Sequence, residues 1–492
     1  MMAGGWEFFG KFAVEYIVMN DNLIRLYRER FGAEPDSVDA LPAAGSDRRY
    51  FRLRGATTVI GTDGTDIREN EAFIYLSRVF ANLGLPVPEV LAVSKDRHSY
   101  LQTDLGDISL YSLIERQGPQ SEKVERNIGQ VMRALPGFHY TAASVTDFNR
   151  CYPRAAMDMR AALWDLNYFK YCFLKPSGTE FDEDLLENAL HQFASEVSAN
   201  PDGTMMLRDM QSRNVMIHAD APYIIDFQGA RAGQGLYDVA SMLWQARAGL
   251  TDEQRMRFAG IYRRSAEELT GKPIADFERK LLKMALFRTL QVLGAYGFRG
   301  YVEHRAMFLS SISQAVANLR RLIADNTLAP DYLTEVLRCM TSQPQFAEEP
   351  RAEGLTVRVT SFSYKRGIPD DLTGNGGGFV FDCRAIHNPG RYDQYKQLTG
   401  RDREVIEFLE RESEMPTFMA ECEAMVDRAV AKYMARGFTS LMVNFGCTGG
   451  RHRSVYGAEH LARHINEKFG VRVRLIHREQ QIDETLPAKT EL

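Results

Sequence analysis

The chain has no Cys-x-x-Cys pair, no run of about 18 apolar residues and no marked excess of either charge. Its six cysteines, Cys151, Cys172, Cys339, Cys383, Cys422 and Cys447, follow no regular spacing. That pattern fits a reduced cytosolic protein and excludes a disulfide scaffold or a structural zinc site. Without a long apolar run no segment can satisfy its backbone across a bilayer, so neither a membrane span nor a membrane partner is expected. The apolar patch from Phe8 to Val14 is interrupted by Lys11, with Glu15 next, and no small-residue cleavage site follows. It reads as a helix and not a signal peptide, and the expected location is cytoplasmic. With 65 acidic and 60 basic side chains the formal charge is −5. This argues against a chain that coats nucleic acid along its whole length and leaves one local basic face open.

What is present is an ordinary globular composition, 45% hydrophobic and 25% charged over 492 residues, a length that suggests about three folding units. Short runs rich in aromatic and β-branched residues, at 49–53, 57–60, 90–93 and 99–102, predict a small sheet. Between them Phe73, Leu76, Phe80 and Leu83 fall at helical spacing over 70–83. From about residue 108 to 340 the pattern is helical, broken near 204–230 by two short apolar strands. The polar, proline-bearing stretch Leu337 to Gly354 reads as a linker. Beyond it a strand from Leu355, glycine-rich loops, a helix at about 415–436, a strand at 440–445 and a further helix predict an α/β unit. The division read from this is an N-terminal helical extension (1–34), a sheet lobe (35–105), a helical lobe (106–340), a linker (341–354), an α/β domain (355–480) and a flexible tail (481–492). Trp164, Trp244 and the stripe Met284, Phe287, Leu290 are expected in the core, and His139 behind the loop described next.

The densest chemistry is Leu207-Arg208-Asp209-Met210-Gln211-Ser212-Arg213-Asn214, followed by Tyr223-Ile224-Ile225-Asp226-Phe227-Gln228. Transfer of a γ-phosphoryl group needs a carboxylate to orient the attacking hydroxyl and accept its proton, and oxygen ligands to hold Mg²⁺ on the phosphates. Asp209, Asn214 and Asp226 supply these. A loop with Asp and Asn five residues apart feeds a hairpin whose second strand ends at Asp226, so all three converge in one cleft. Each half alone would also suit a helix-capping loop and the end of a buried strand.

Residues from about 35 to 335 resemble the aminoglycoside phosphotransferase family. Within it they are most similar to the AmgK-like kinases of the anomeric hydroxyl of N-acetylmuramate and N-acetylglucosamine. The resemblance is carried by Ala44-Gly45-Ser46-Asp47-Arg48-Arg49-Tyr50-Phe51-Arg52, Glu69 to Phe73, Gly84 to Val90, Asp104-Leu105-Gly106-Asp107, the catalytic loop, Ile225 to Ala230, and Tyr237 to Ser241. It implies an α+β, bilobal protein-kinase-like fold that uses ATP and Mg²⁺, with Asp209 as base and Asn214 and Asp226 on the metal. Gly45 and Ser46 would lie in the hairpin over the phosphates. Leu101-Gln102-Thr103-Asp104 would join the lobes beside the adenine. The strand Thr57-Thr58-Val59-Ile60-Gly61 departs from the pattern, having no lysine for the α- and β-phosphates; Arg48, Arg49 and Arg52 are the candidate substitutes.

A second constellation is the strand Leu441 to Gly446, the loop Cys447-Thr448-Gly449-Gly450-Arg451-His452-Arg453-Ser454 and a helix from Val455. A strand entering a helix through two glycines gathers backbone N–H groups around one point, which suits an anion, and Arg453 can add bidentate contacts. Cys447 and Arg453 also have the Cys-x5-Arg spacing of cysteine phosphatases, although Gly446 stands where those usually carry histidine. The segment 355–480 resembles the RapZ C-terminal domain, through Ser361 to Pro369, Phe381-Asp382-Cys383-Arg384, Asn388-Pro389, Leu398-Thr399-Gly400, Gly446 to Val455 and His477-Arg478. The resemblance implies an α/β domain that senses glucosamine-6-phosphate and can bind RNA. Thr448, Gly449 and Arg453 would hold the phosphate, with Asp382 and Arg384 nearby and Cys447, Gly450, His452 and Ser454 in the same loop. That family's GxxxxGK[ST] nucleotide-binding half is replaced here by the kinase-like part.

From Gly446 to Arg478 seven basic residues face two acids, a net +5, more than one phosphosugar needs and enough for an RNA backbone. His460 and His464 have metal-compatible spacing but no third ligand is evident, so zinc is not expected. The leading expectation is a sugar kinase with a fused phosphosugar-binding domain. A regulatory RNA-binding or metabolite-sensing adapter with an inactive kinase-like part, and a cysteine phosphatase, stay open.

Overall fold

The computed structural model describes residues 21–42, 48–303, 305–343, 346, 354–369 and 378–489. These fall into two compact units, Met1–Ala295 with Gln314–Phe346, and Tyr296–Ser313 with Ala347–Leu492. Most of the expected linker, with residues 1–20 of the N-terminal extension and Gly45 and Ser46, lies outside the described residues. Leu337, expected at the linker's start, is buried in the helix Asp331–Thr341 instead, because Leu333, Val336, Leu337 and Met340 form one apolar face.

In the first unit five antiparallel strands, β1 (Ser37–Ala40), β2 (Arg49–Arg54), β3 (Val59–Asp63), β4 (Val90–Val93) and β5 (Ser99–Thr103), are ordered β1-β2-β3-β5-β4. Alternation in β2 turns Phe51 and Leu53 into a core with Val59, Leu101 and residues Leu23, Leu26 and Tyr27 of a helix over 21–31. The short β1 was not anticipated; it lacks a long apolar run and pairs through β2. The helix Ile67–Asn82 starts where the Asp66 carboxylate accepts from the Arg68 and Glu69 N–H groups. It buries Phe73, Leu76 and Phe80, while Leu83 falls just past its end and is exposed.

The rest of this unit is helical, interrupted by the strands β6 (Met205–Met206), β7 (Val215–His218), β8 (Ala221–Ile224) and β9 (Arg231–Ala232). Ala219 and Asp220, both at positive φ, turn β7 into β8, the left-handed two-residue connection that matches strand twist. Met284, Phe287 and Leu290 are buried in the helix Phe277–Gly297, as expected. Trp164 is not: its ring is 54% exposed, with the Arg154 guanidinium 5.1 Å from its centroid. The helix Met159–Phe169 buries Ala161, Ala162, Leu166 and Phe169, and Trp164 falls on the opposite face.

The second unit is built on the strands β10 (Thr356–Ser363), β11 (Gly378–Asp382), β12 (Ser440–Cys447), β13 (Arg472–His477) and β14 (Ile482–Leu486), ordered β11-β12-β10-β13-β14. The first four are parallel and β14 is antiparallel to β13. The flexible tail read from 481 is therefore corrected: Ile482–Leu486 closes the sheet edge, its alternation too short and polar to stand out. The helices Met415–Ala435 and Arg453–Phe469 pack on the sheet around Val357, Val359, Val443 and Phe445. No helix among the described residues is long and apolar enough to cross a membrane.

Candidate functional site

In the first unit the loop after β6 and the β7–β8 hairpin bring Asp209, Asn214 and Asp226 together. The Asn214 Nδ2 donates to the Asp209 carbonyl at 2.9 Å and to Asp226 Oδ2 at 3.2 Å. The other Asp226 oxygen accepts from Gln228 Nε2 at 2.8 Å. Asp226 has φ +62°, in the left-handed region, a strained backbone of the kind that clusters where a side chain must be aimed. Burial, and then the neighbouring Asp209 charge, hold its carboxyl above the usual range, the setting in which a cation stabilises the carboxylate. Asp209 itself is about half exposed (49%), with Arg288 Nη2 3.8 Å from Oδ1.

The support of this loop lies in residues that the motif does not include. The fully buried Asp238 accepts from the backbone N–H of Leu207 (2.6 Å) and of Arg208 (3.0 Å). His139 Nε2 lies 3.1 Å from the same carboxylate, and its Nδ1 2.9 Å from the Tyr262 hydroxyl. His139 thus sits behind the loop, as expected. Phe227, next to Asp226, stacks on Phe73 at 4.8 Å and meets Phe80 edge-on at 5.1 Å, so the position of Asp226 is tied to the helix Ile67–Asn82. The signal was present in Tyr237-Asp238 and in the Phe of Ile-Asp-Phe, but their partners are distant in sequence.

The candidates for the missing lysine separate. Arg52 donates to Asp104 (2.7 Å) and Asp107 (2.8 Å), which corrects its candidacy and engages the Asp104 carboxylate as well. Arg49 lies in register with Asp63. Arg48 is 4% exposed, faces Glu69 at 3.5 Å and lies over Phe73. Its Nε and Nη2 make no hydrogen bond among the described residues. Gln102 donates to Thr62 Oγ1, and the Thr103 hydroxyl accepts from the Glu89 N–H.

In the second unit the C-terminal ends of β10, β11 and β12 meet, Ser363 opposite Cys447 and Asp382 opposite Gly446, the place where parallel sheets bind ligands. Cys447 Sγ accepts from the Gly450 N–H at 3.2 Å and lies 3.2 Å from Ser454 Oγ. Burial would raise its pKa, but the Ser454 hydroxyl and N–H, the Arg451 N–H and the Arg453 charge outweigh it and hold the thiol below its ordinary value. Arg453 is 4% exposed. Its Nη1 is fixed by the carbonyls of Arg384 (3.0 Å) and Ile386 (2.8 Å), while its buried Nε makes no hydrogen bond among the described residues. Asp382 and Arg384 form a bidentate pair with each other, and Arg384 covers the Tyr364 ring at 3.9 Å. Thr448 and Gly449 are exposed, and Gly450 takes φ +65°. His452 turns away, its Nε2 2.9 Å from the Tyr395 carbonyl, and burial lowers its pKa.

Gly446 is explained by space: a Cβ there would stand 2.5 Å from both the Phe362 and Tyr364 rings, so a histidine does not fit. Gly446→Ala is expected to destabilise this unit by about 1–3 kcal/mol, read as an earlier thermal transition; an unchanged transition would mean that the two rings move aside freely.

Part of the local +5 charge is compensated by acids. Arg463 pairs with Glu459, Lys468 with Asp427 and Arg474 with Asp483, and Arg451 and Arg478 donate to the carbonyls of Gln397 and Gly367. His460 faces Glu423, and His464 faces Glu423 and Asp427. Among the described residues no group of three metal-ligating side chains is placed to hold an ion.

The five-stranded sheet, the helical lobe and the converged Asp209, Asn214 and Asp226 define a kinase-like phosphotransferase fold, followed by a separate α/β domain with its own sheet. The chain carries two family segments: residues 38–275 match the phosphotransferase enzyme family, and residues 355–481 match the RapZ C-terminal domain. A nucleotide-binding protein of Xylella fastidiosa (strain M12) is 38% identical over 128 residues, 26% of this chain and 42% of that one. A nucleotide-binding protein of Staphylococcus aureus (strain JH9) is 32% identical over 169 residues, 34% of this chain and 52% of that one. The chain thus spans about half or less of the length of these curated relatives. Among solved structures, choline kinase LicA from Streptococcus pneumoniae is 13% identical with a TM-score of 0.41, covering 60% of this chain and 98% of that one. A thermostable mutant of aminoglycoside phosphotransferase APH(4)-Ia is 19% identical with a TM-score of 0.39, covering 61% and 98%.

Proposed function

We propose that the protein is an ATP- and Mg²⁺-dependent kinase of the cytoplasm that phosphorylates the anomeric hydroxyl of an amino sugar, N-acetylmuramate or N-acetylglucosamine, in cell-wall sugar recycling. Its C-terminal domain binds a phosphorylated sugar. The kinase lobes are proposed at 35–105 and 106–340, as read from the sequence, and the phosphosugar domain runs from 355 through β14. The observation that carries the kinase reading is the convergence of Asp209, Asn214 and Asp226. Asp209 would orient the sugar hydroxyl and accept its proton, and Asn214 and Asp226 would hold Mg²⁺ against the phosphates, where the ion would neutralise charge developing during transfer. Gly45, Ser46, Gln102, Thr103 and Asp104 complete the proposed nucleotide site. Arg48 takes the place of the strand lysine. It pairs through Nη2 with a helix glutamate, Glu69, as that lysine does in kinases, and its buried Nε, which makes no hydrogen bond among the described residues, suits a phosphate oxygen. This favours a working kinase over an inactive one. The test is ATP turnover with a panel of amino sugars; no sugar-dependent turnover sinks the reading.

The phosphosugar reading rests on the Arg453 edge. With Nη1 anchored on carbonyls, the Nε side is left for an oxyanion beside the N–H groups of Thr448 and Gly449, with Asp382 and Arg384 at the rim. Because three of the basic side chains in this segment are paired with acids, a small phosphate ester suits the site better than RNA. Arg453→Ala is expected to weaken glucosamine-6-phosphate binding about 10- to 100-fold by calorimetry, with Arg453→Lys intermediate. Undiminished binding in both overturns the assignment. The lowered thiol pKa of Cys447 favours a second reading, a Cys-x5-Arg phosphatase. Hydrolysis of p-nitrophenyl phosphate that disappears in Cys447→Ser would establish it, and no hydrolysis by the parent would end it.

A further inference from the structure

The cleft around Asp209 holds more positive charge than a neutral acceptor requires. Three arginines from separate elements gather there. Arg208 pairs with Asp165 at 2.7 Å and lies over the Tyr237 ring. Arg288 donates to the Tyr237 hydroxyl at 3.1 Å and faces Asp209. Arg231, at the start of β9 and in register with Met206 just before the catalytic loop, is 7% exposed. Its Nε donates to the Gly229 carbonyl at 2.9 Å, and it forms no ion pair among the described residues. Gly229 is wedged between two of them: a Cβ there would lie 3.7 Å from Arg208 Cβ and 3.8 Å from Arg231 Nη2.

Asp165 and Asp209 face Arg208 and Arg288, and Asp226 is tied to Asn214 and Gln228, so Arg231 is left without an acid of its own, the more so when Asp209 takes the proton of the acceptor hydroxyl. A guanidinium does not shed its proton to relieve this, and burying one without a counter-ion is costly. Burial, and then the Arg208 charge, push the Arg231 pKa down to about 10: the guanidinium stays charged at neutral pH, at a cost that an anion would relieve. Such an arrangement is retained when a ligand supplies the missing charge.

We propose that Arg231 is a specificity residue that binds an anionic substituent, a carboxylate, on the phosphoryl acceptor, so that the enzyme favours an acidic sugar over its neutral counterpart. This rests on the kinase reading of Asp209. N-acetylmuramate and N-acetylglucosamine are a matched pair of probes, since the first carries a lactyl carboxylate that the second lacks.

The experiment measures kcat and KM of the full chain with Mg-ATP and each sugar, for the parent, Arg231→Met and Arg231→Lys. The parent is expected to favour N-acetylmuramate in kcat/KM. Arg231→Met should cut that preference at least about 30-fold, mainly through the KM for N-acetylmuramate, and Arg231→Lys, which keeps the charge but not the fork, should restore part of it. A parent without the preference, or a preference that survives in Arg231→Met, overturns the proposal and leaves the kinase reading standing. An equal fall in kcat for both sugars would place Arg231 on the transferring phosphoryl group and also overturns it. Turnover of neither sugar by the parent sinks the amino-sugar reading and this proposal together.

Discussion

Asp209→Asn is expected to lower sugar-dependent ATP turnover by roughly 100- to 10,000-fold, the range that a positioned general base supplies. The substitution keeps the shape and the backbone carbonyl on which Asn214 Nδ2 rests at 2.9 Å; what it removes is the proton acceptor. The side chain is half exposed and its nearest cation, Arg288, stands 3.8 Å away. Little stability is therefore at stake, about 0.5 kcal/mol or less, and the melting transition should not move. Nucleotide affinity should also persist, because Asn214 and Asp226 are untouched. Near-parental turnover in Asp209→Asn would remove Asp209 from the base role, and a matching loss of nucleotide affinity would place it on the metal instead.

The periodic elements were legible in the sequence because their packing is local. Strands β2 to β5 and the helix Ile67–Asn82 carry their apolar residues at the spacing of the face they bury. The catalytic loop was legible because Asp209 and Asn214 are five residues apart and the hairpin that delivers Asp226 follows at once. Trp164 was misplaced because an apolar residue within an amphipathic helix says nothing of which side it faces until the partners are known. β14 was missed because Ile482–Leu486 is mostly polar, and only pairing with β13 makes it a strand. The same limit hid Arg52. Its sequence context suggests a phosphate ligand, whereas Asp104 and Asp107, some fifty residues on, claim its guanidinium. Two counter-charges of the basic segment after Gly446, Asp427 and Asp483, lie outside the stretch counted and were hidden in the same way.

Asp238→Ala should produce the largest loss of stability, with activity falling alongside it. The carboxylate has no exposure, and it collects the N–H groups of Leu207 and Arg208 and the His139 ring. Removing it leaves two buried backbone donors and an imidazole without their acceptor, and breaks a hydrogen-bonded charge inside the fold. Such losses cost on the order of 3–5 kcal/mol, which for a unit of this size lowers the melting temperature by roughly 4–7 °C. The backbone of Arg208, at φ +80°, loses one of the contacts that hold it there, so Asp209 should lose its aim even in the molecules that remain folded. Asp238→Asn keeps an acceptor oxygen for the N–H groups and loses the charge, and it is expected to retain more of the melting temperature than Asp238→Ala. Paired calorimetry and turnover measurements separate this support from a direct catalytic role. If Asp238→Ala melts with the parent while activity vanishes, the carboxylate acts on substrate and not on the loop.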